Sequence, residues 1–471
     1  DPVHPHSSTA ETAAEPPSSG LDAALKRLTG FAFITLLTTV ANLGVRIGKN
    51  VLITRALGPE ARGIFGLLNT IPGLFVSFGN LGFGLGSLYL GATKKEPLGT
   101  LVGNAMAYAV LQGTVLACLA LALHSLGAGF MANNWEAIQA ISLFIFLGIP
   151  LTLGMHLCED LLMAASDIRY LNLISVVNSA APVVVMLVLW PLLGDALAAA
   201  CWAWVLSLLL MIGMCVRRLS RQAGGLGVSL SLARQAIGYG LRGNVSQFAG
   251  AVTRRVDMLL LAHFLPVQEL GQYAAAVSLA EVLLFLPDAV ALPFMPLRMA
   301  MADDDDQATA RAFSATIIKY TVAVLAPMLL LAGLLAKPMI LVLYGRDFLP
   351  CLSAMVLLLP GILSLAVYQL IKADLYSLNR PGLTSWISVW SMFLNVGLNL
   401  IAIPWLGIAG AAITSSICYT FSAAACLVCF FRITGASPAS MLLLSRSDFT
   451  VIRRQLGQAV RAKLRGKKER P

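Results

Sequence analysis

The chain has 471 residues, 58% of them hydrophobic and 12% charged, with a mean hydropathy of +0.80 and a formal net charge of +10. About 25% charged residues is usual for a soluble domain, so this composition excludes one and describes a chain that crosses a membrane many times. There is no P-loop, no His-rich metal spacing and no loop on the side away from the termini long enough for an active-site domain, which sets aside ATP-driven pumps and membrane glycosyltransferases.

Residues 1–25 are rich in Pro, Ser, Ala and His, without a basic start leading into an apolar core. They read as a disordered cytoplasmic segment, and no signal peptide is expected. With roughly 20 apolar residues per crossing, twelve spans are predicted, at 31–54, 64–90, 101–123, 138–163, 171–193, 196–216, 236–264, 273–297, 314–336, 353–378, 383–404 and 408–431. They fall into a first six-helix half (26–216), a cytoplasmic linker (217–235) and a second half (236–432). Arg217, Arg218, Arg221 and the Gly224-Gly225 pair make that linker read as flexible. The tail, 433–471, sets Phe449, Ile452, Leu456, Val460 and Leu464 at helical spacing among Arg and Lys, as in a basic amphipathic helix lying on a membrane.

Placing both termini inside leaves only Arg55, Arg62, Lys337 and Arg346 on the outer side, with Arg46, Lys49, Arg242, Arg254, Arg255 and Lys319 inside spans. The other Lys and Arg then collect on cytoplasmic loops, as positive-inside topology requires. The net charge therefore faces anionic lipid, and nucleic-acid binding gains no support from it. Most of the eight cysteines fall in spans, Cys351 reads as exposed on the outer side, and Cys426-x-x-Cys429 is read as helix packing. Asp303 to Asp306 read as a solvated loop.

In the first span Thr35, Thr39, Asn42, Arg46 and Lys49 share one helical face, and in the seventh Arg242, Ser246, Gly250, Arg254 and Asp257 do the same. Arg46 and Arg254 are 208 residues apart, and at that offset Leu57 matches Leu265, Gly63 matches Gly271 and Phe65 matches Tyr273. Later, Pro191 and Pro404 with their flanks match at an offset of 213. The halves are thus repeats, and an even number of spans in each gives them the same orientation, related by a pseudo-twofold axis along the membrane normal. The expected fold is an all-α integral membrane protein of about 12 transmembrane helices, in two pseudo-twofold-related six-helix bundles around a central cavity.

Charges inside a span face a bundle interior, water or a partner, or they snorkel to headgroups. Arg46, Lys49, Arg242, Arg254 and Arg255 are accordingly expected to line the cavity as substrate-binding cations, with Asn42, Asn80 and Ser246 as its polar lining. Arg254 and Asp257 lie within reach of each other along their helix. Asp257, Glu281 and Asp288, the last opposite Asn80 at the 208 offset, suit proton or sodium coupling or, equally, interhelical ties.

Around Arg55-Ala-Leu57-Gly58-Pro59-Glu60-Ala-Arg62-Gly63-Ile-Phe65, and again from Arg254-Arg255-Val-Asp257 to Gly271-Gln-Tyr273, the chain resembles bacterial O-antigen and exopolysaccharide repeat-unit flippases. These form the polysaccharide branch of the multidrug, oligosaccharidyl-lipid and polysaccharide exporter superfamily. The resemblance implies a non-enzymatic carrier of the bacterial inner membrane that moves undecaprenyl-diphosphate-linked oligosaccharide between leaflets by ion-coupled alternating access. It implies no cofactor beyond a coupling proton or sodium, a monomer, and polysaccharide polymerase machinery as a further partner. A multidrug or small-amphiphile exporter of the same superfamily is the alternative, and a polysaccharide polymerase or ligase is a more distant one.

Overall fold

In a computed structural model of the chain, residues 18–93, 96–126, 134–287, 290, 307–378 and 380–434 are described, with side chains from residue 42 onward except at 124, 126, 242–243, 307–313, 377 and 381. Asp288, Asp303 to Asp306 and the tail from 435 lie outside the described residues. Among those described there is no strand. The helices are α1 (Ser18–Gly79), α2 (Phe83–Ala92), α3 (Leu98–Leu126), α4 (Trp135–Ala164), α5 (Ile168–Leu193), α6 (Ala196–Ala223), α7 (Leu230–Phe264) and α8 (Val267–Glu281), followed by α9 (Gln307–Leu334), α10 (Ala336–Leu343), α11 (Cys351–Ser377) and α12 (Pro381–Thr434).

Nine helices among the described residues are long and apolar enough to cross a membrane. Two of them fold back on themselves. In α12, Ser422 Oγ donates to Ser391 Oγ at 2.9 Å, although 31 residues of straight helix would set them about 46 Å apart. The reversal is at Gly407, whose φ of 59° favours glycine. Likewise Arg62 Nε reaches Thr54 Oγ1 at 3.2 Å around Gly58, where φ is 67°. These hairpins supply two further crossings, and α7, too polar to count by hydropathy, supplies the twelfth.

Helix formation runs further than hydropathy suggested. Because α1 already begins at Ser18, part of the segment expected to be disordered is helical. At the other end of the first half, α6 carries Arg217, Arg218 and Arg221 as extra turns before Gly224 ends it with φ 72°. The linker is therefore only 224–229, and it is fastened: Gly227 N–H donates to Gly99 O (3.2 Å), Asn104 Nδ2 to Ser229 O (2.9 Å) and Ser229 N–H to Asn104 Oδ1 (2.8 Å). A hydrogen-bonded linker replaces the flexible one expected. Cys351 is buried and Cys118 is the exposed thiol, on an α3 face whose Val110, Leu111 and Val115 also point outward as lipid-facing residues do.

The lobes, α1 to α6 and α7 to α12, meet backbone to backbone. A Cβ on Gly63 would lie 2.0 Å from Val267 O, and one on Gly271 would lie 1.7 Å from Pro59 O. Since these two glycines are repeat equivalents, the pseudo-twofold axis passes between them. On this Gly58 face Arg55 donates to Leu343 O (2.8 Å) and to Val342 O, while Asn134 Nδ2 donates to Ala262 O (2.6 Å) and Leu265 O (2.9 Å). First-lobe donors thereby cap the carbonyl ends of two second-lobe helices, and together with the glycines they form a seal. On the linker face α2 lies against α7, with Gly82 touching Gly240 and the Tyr89 and Tyr239 rings stacked 3.8 Å apart.

Candidate functional site: a cationic cavity between the lobes

A cavity of about 710 Å³ lies between the lobes, lined by Arg46, Lys49 and Arg62 from α1, His156 from α4, Arg254, Arg255 and Asp257 from α7, and Ser278 and Glu281 from α8. Phe65, Trp204, Val277 and Phe285 supply apolar wall. The helical stripe explains the convergence: Arg46 and Lys49 face inward one turn apart, and α7 repeats the arrangement across the axis.

The charges are unequally matched. Arg255 Nη2 pairs with Glu281 Oε2 at 3.3 Å. Among the described residues, Arg46, Lys49, Arg62 and Arg254 have no carboxylate within 4 Å. Asp257 does not answer Arg254, as its position on the helix suggested. Its carboxylate turns into the second lobe, where it accepts from Tyr273 OH (2.5 Å), Met258 N–H (2.8 Å) and Ser415 Oγ (3.4 Å). Neutral donors on three helices thus hold it, and it ties α7 to α8 and α12.

Three expected lining residues are structural instead. Asn42 is buried and donates to Ser175 Oγ at 3.0 Å. Asn80 lies in the break between α1 and α2, where its Oδ1 accepts from Gly84 N–H (3.2 Å) and its carbonyl from Tyr108 OH (3.2 Å). A left-handed Leu81 and Gly82 follow it. Ser246 is buried 3.5 Å from Ser388 Oγ, between α7 and α12. The side chain of Arg242 and all of Asp288 fall outside the described residues.

Sequence reasoning missed two residues. Arg62, read as part of an outer loop, is only 7% exposed and sits in the cavity wall, its Nη2 donating to Ser278 Oγ of the opposite lobe at 3.0 Å. The signal was Pro59: proline suits the first helical position, so the helix resumes at once and Arg62 lies inside it. His156, not singled out by the sequence, also lines the cavity, with Nδ1 3.6 Å from Glu159 Oε2.

A family model described as "Polysaccharide biosynthesis protein" matches residues 52–353. A curated relative, the probable low-salt glycan biosynthesis flippase Agl15 of Haloferax volcanii, is 23% identical over 191 residues, which is 41% of this chain and 40% of that protein's length. Among solved structures, an inward-facing multidrug resistance MATE family transporter of the MOP superfamily superimposes with a TM-score of 0.70 at 14% identity, covering 86% of this chain and 98% of that one. Lipid II flippase MurJ in an inward closed conformation gives 0.66 at 11% identity, over 84% and 87%. At these identities the likeness shows the fold, the two-lobed helical architecture of those transporters.

Proposed function

We propose, given that this chain belongs to the polysaccharide biosynthesis protein family, that it carries lipid-linked oligosaccharides across the membrane by alternating access of the cavity between its lobes. The observation that carries this reading is the set of four cations, Arg46, Lys49, Arg62 and Arg254, facing one cavity with no carboxylate partner among the described residues. Unpaired charge in a membrane interior costs several kcal/mol, and a diphosphate supplies the missing anion. Guanidinium forks grip phosphate oxygens in bidentate fashion, while a polyprenyl tail stays in the bilayer. Undecaprenyl diphosphate is the expected carrier lipid and an oligosaccharide repeat unit the expected cargo, in the cytoplasmic membrane of a bacterium. With the termini inside, as the basic loops suggest, the Gly58 face is the outer face. Ion coupling fits Glu281, which faces the cavity, better than Asp257, which is engaged by neutral donors.

The MATE-like fold keeps multidrug export as the second reading. A basic cavity repels organic cations and speaks against that class. The test is translocation of a fluorescent undecaprenyl-diphosphate oligosaccharide in proteoliposomes, beside efflux of an organic cation. Replacing Arg46 and Arg254 by Ala is expected to lower translocation roughly tenfold or more per arginine, since a hydrogen bond to a charged group contributes about 1.5–3 kcal/mol. Unchanged glycolipid translocation with normal insertion would sink the proposal, and robust cation efflux would favour the exporter.

A further inference from the structure

Arg62 differs from the other unpaired cavity cations in where it is held. Its Nε donates to Thr54 Oγ1 within its own lobe and its Nη2 to Ser278 Oγ of the other lobe, both neutral oxygens. It is 7% exposed, and the next residue, Gly63, makes the backbone contact with Val267 and Gly271 that closes the Gly58 face. The closed seal thus buries a guanidinium that no carboxylate among the described residues compensates, whereas separation of the lobes there would return it to water. Desolvation of an unpaired charge opposes the buried state, and an anion beside that charge interacts more strongly in the low-dielectric sealed state than in the hydrated open one. A ligand shifts a two-state protein toward the state it binds better.

We infer that Arg62 is an occupancy sensor: an anionic headgroup in the cavity neutralises it and stabilises the closed outer seal, and an empty cavity leaves the seal weakened. The inference rests on the headgroup reading above and adds a role in gating to a residue that would otherwise be one more phosphate ligand. The coupling is reciprocal, so the sealed state binds the anion more tightly than the open one. Amide and hydroxyl substitutes remove the penalty along with the charge, and Arg62→Gln keeps a donor for Thr54 or Ser278.

The experiment places spin labels at Glu60→Cys and Gln268→Cys, repeat-equivalent exposed positions flanking the seal, in a Cys118→Ser background, and measures their distance distribution in nanodiscs. Three conditions are compared: no ligand, undecaprenyl diphosphate, and inorganic diphosphate, with lipid binding measured separately. In the parent protein either diphosphate should raise the sealed-to-open ratio about tenfold, within the range usual for coupled sites. Arg62→Gln should be sealed without ligand and indifferent to it, and Arg62→Lys should restore the dependence. If the lipid binds but the seal ignores it, or if Arg62→Gln responds like the parent, the sensor is wrong while the headgroup reading stands. If inorganic diphosphate closes the seal but the lipid does not bind, the sensor stands and the headgroup reading fails. If neither binds, both fail.

Discussion

Lys49 and Asp257 occupy equivalent positions in the two repeats, as do Phe65 and Tyr273, yet the two lobes use them in opposite ways. In the first lobe Lys49 points into the cavity and Phe65 forms part of its wall. In the second, Asp257 and Tyr273 border the same cavity but are 3% exposed and fully buried, respectively, with the phenol bonded to the carboxylate and Ser415 closing the group. The tyrosine hydroxyl occurs in the half that has a buried acid and is missing from the half that has a cavity-facing cation. At this pair of positions the duplicated backbones have kept their spacing while the side chains divided, a cavity-facing cation in one lobe and a carboxylate hydrogen-bonded within its own lobe in the other.

The largest test of that division is Asp257→Ala beside Lys49→Ala. Removing the carboxylate orphans two buried hydroxyls and leaves a cavity, so about 3–5 kcal/mol of destabilisation is expected in a detergent thermal-shift or unfolding assay. Lys49→Ala should fall within roughly 0.5 kcal/mol in that assay and register instead in glycolipid binding. If the two lose stability equally, the division is wrong.

A smaller contrast comes from Tyr273→Phe, expected to cost about 1.5–3 kcal/mol because its partner is charged, against Phe65→Tyr, whose added hydroxyl reaches the cavity and should change unfolding by less than about 0.5 kcal/mol. Glycine positions divide similarly. Gly271→Ala forces a methyl group into Pro59 O and should cost about 1–3 kcal/mol as overpacking, with increased thiol labelling at Glu60→Cys. At Gly250 the nearest atom to an added methyl is Arg254 Nη1 at 3.6 Å, so Gly250→Ala should be silent in both measurements.

The smallest effect concerns Asp167, whose counterpart at the 213 offset is Arg380. Burial works against its ionisation, but hydrogen bonds from Arg218, Gln222 and Tyr170 N–H outweigh it and hold the carboxyl below the usual carboxylate range. A depressed folded value stabilises above the unfolded pKa of about 4, and the contribution is lost as pH falls through the folded value. Asp167→Asn keeps a helix-capping oxygen but loses the charge that faces Arg218, and should therefore cost about 0.2–1 kcal/mol at pH 7, with the difference from the parent disappearing in melts on the acid side.

The spans, the repeat and the inward-facing cations Arg46, Lys49, Arg254 and Arg255 were legible because helical periodicity and a repeated spacing are properties of the chain alone. Asp257 was not, since whether a carboxylate on a polar stripe turns to water or into its own lobe depends on Tyr273 and Ser415, which are 16 and 158 residues away. Asn80 looked like lining and proved to cap a helix break, because hydropathy runs unbroken across a kink. Arg62 was hidden by a turn shorter than its Gly, Pro and Glu suggested: one residue reverses the chain, and the arginine is already a turn into the next helix.

The six residues from 224 to 229 span at most about 20 Å when extended, and Gly99 and Asn104 anchor them near their far end. Beside them Gly82 and Gly86 press on Gly240 and Ala236 with no side chain between. Two bodies fastened at this edge and, through Gly63 and Gly271, at the Gly58 edge resemble a book with both a spine and a clasp. A carrier that works by alternating access has to release the two fastenings in turn, and each is made chiefly of backbone contacts that can part without a side chain having to be withdrawn.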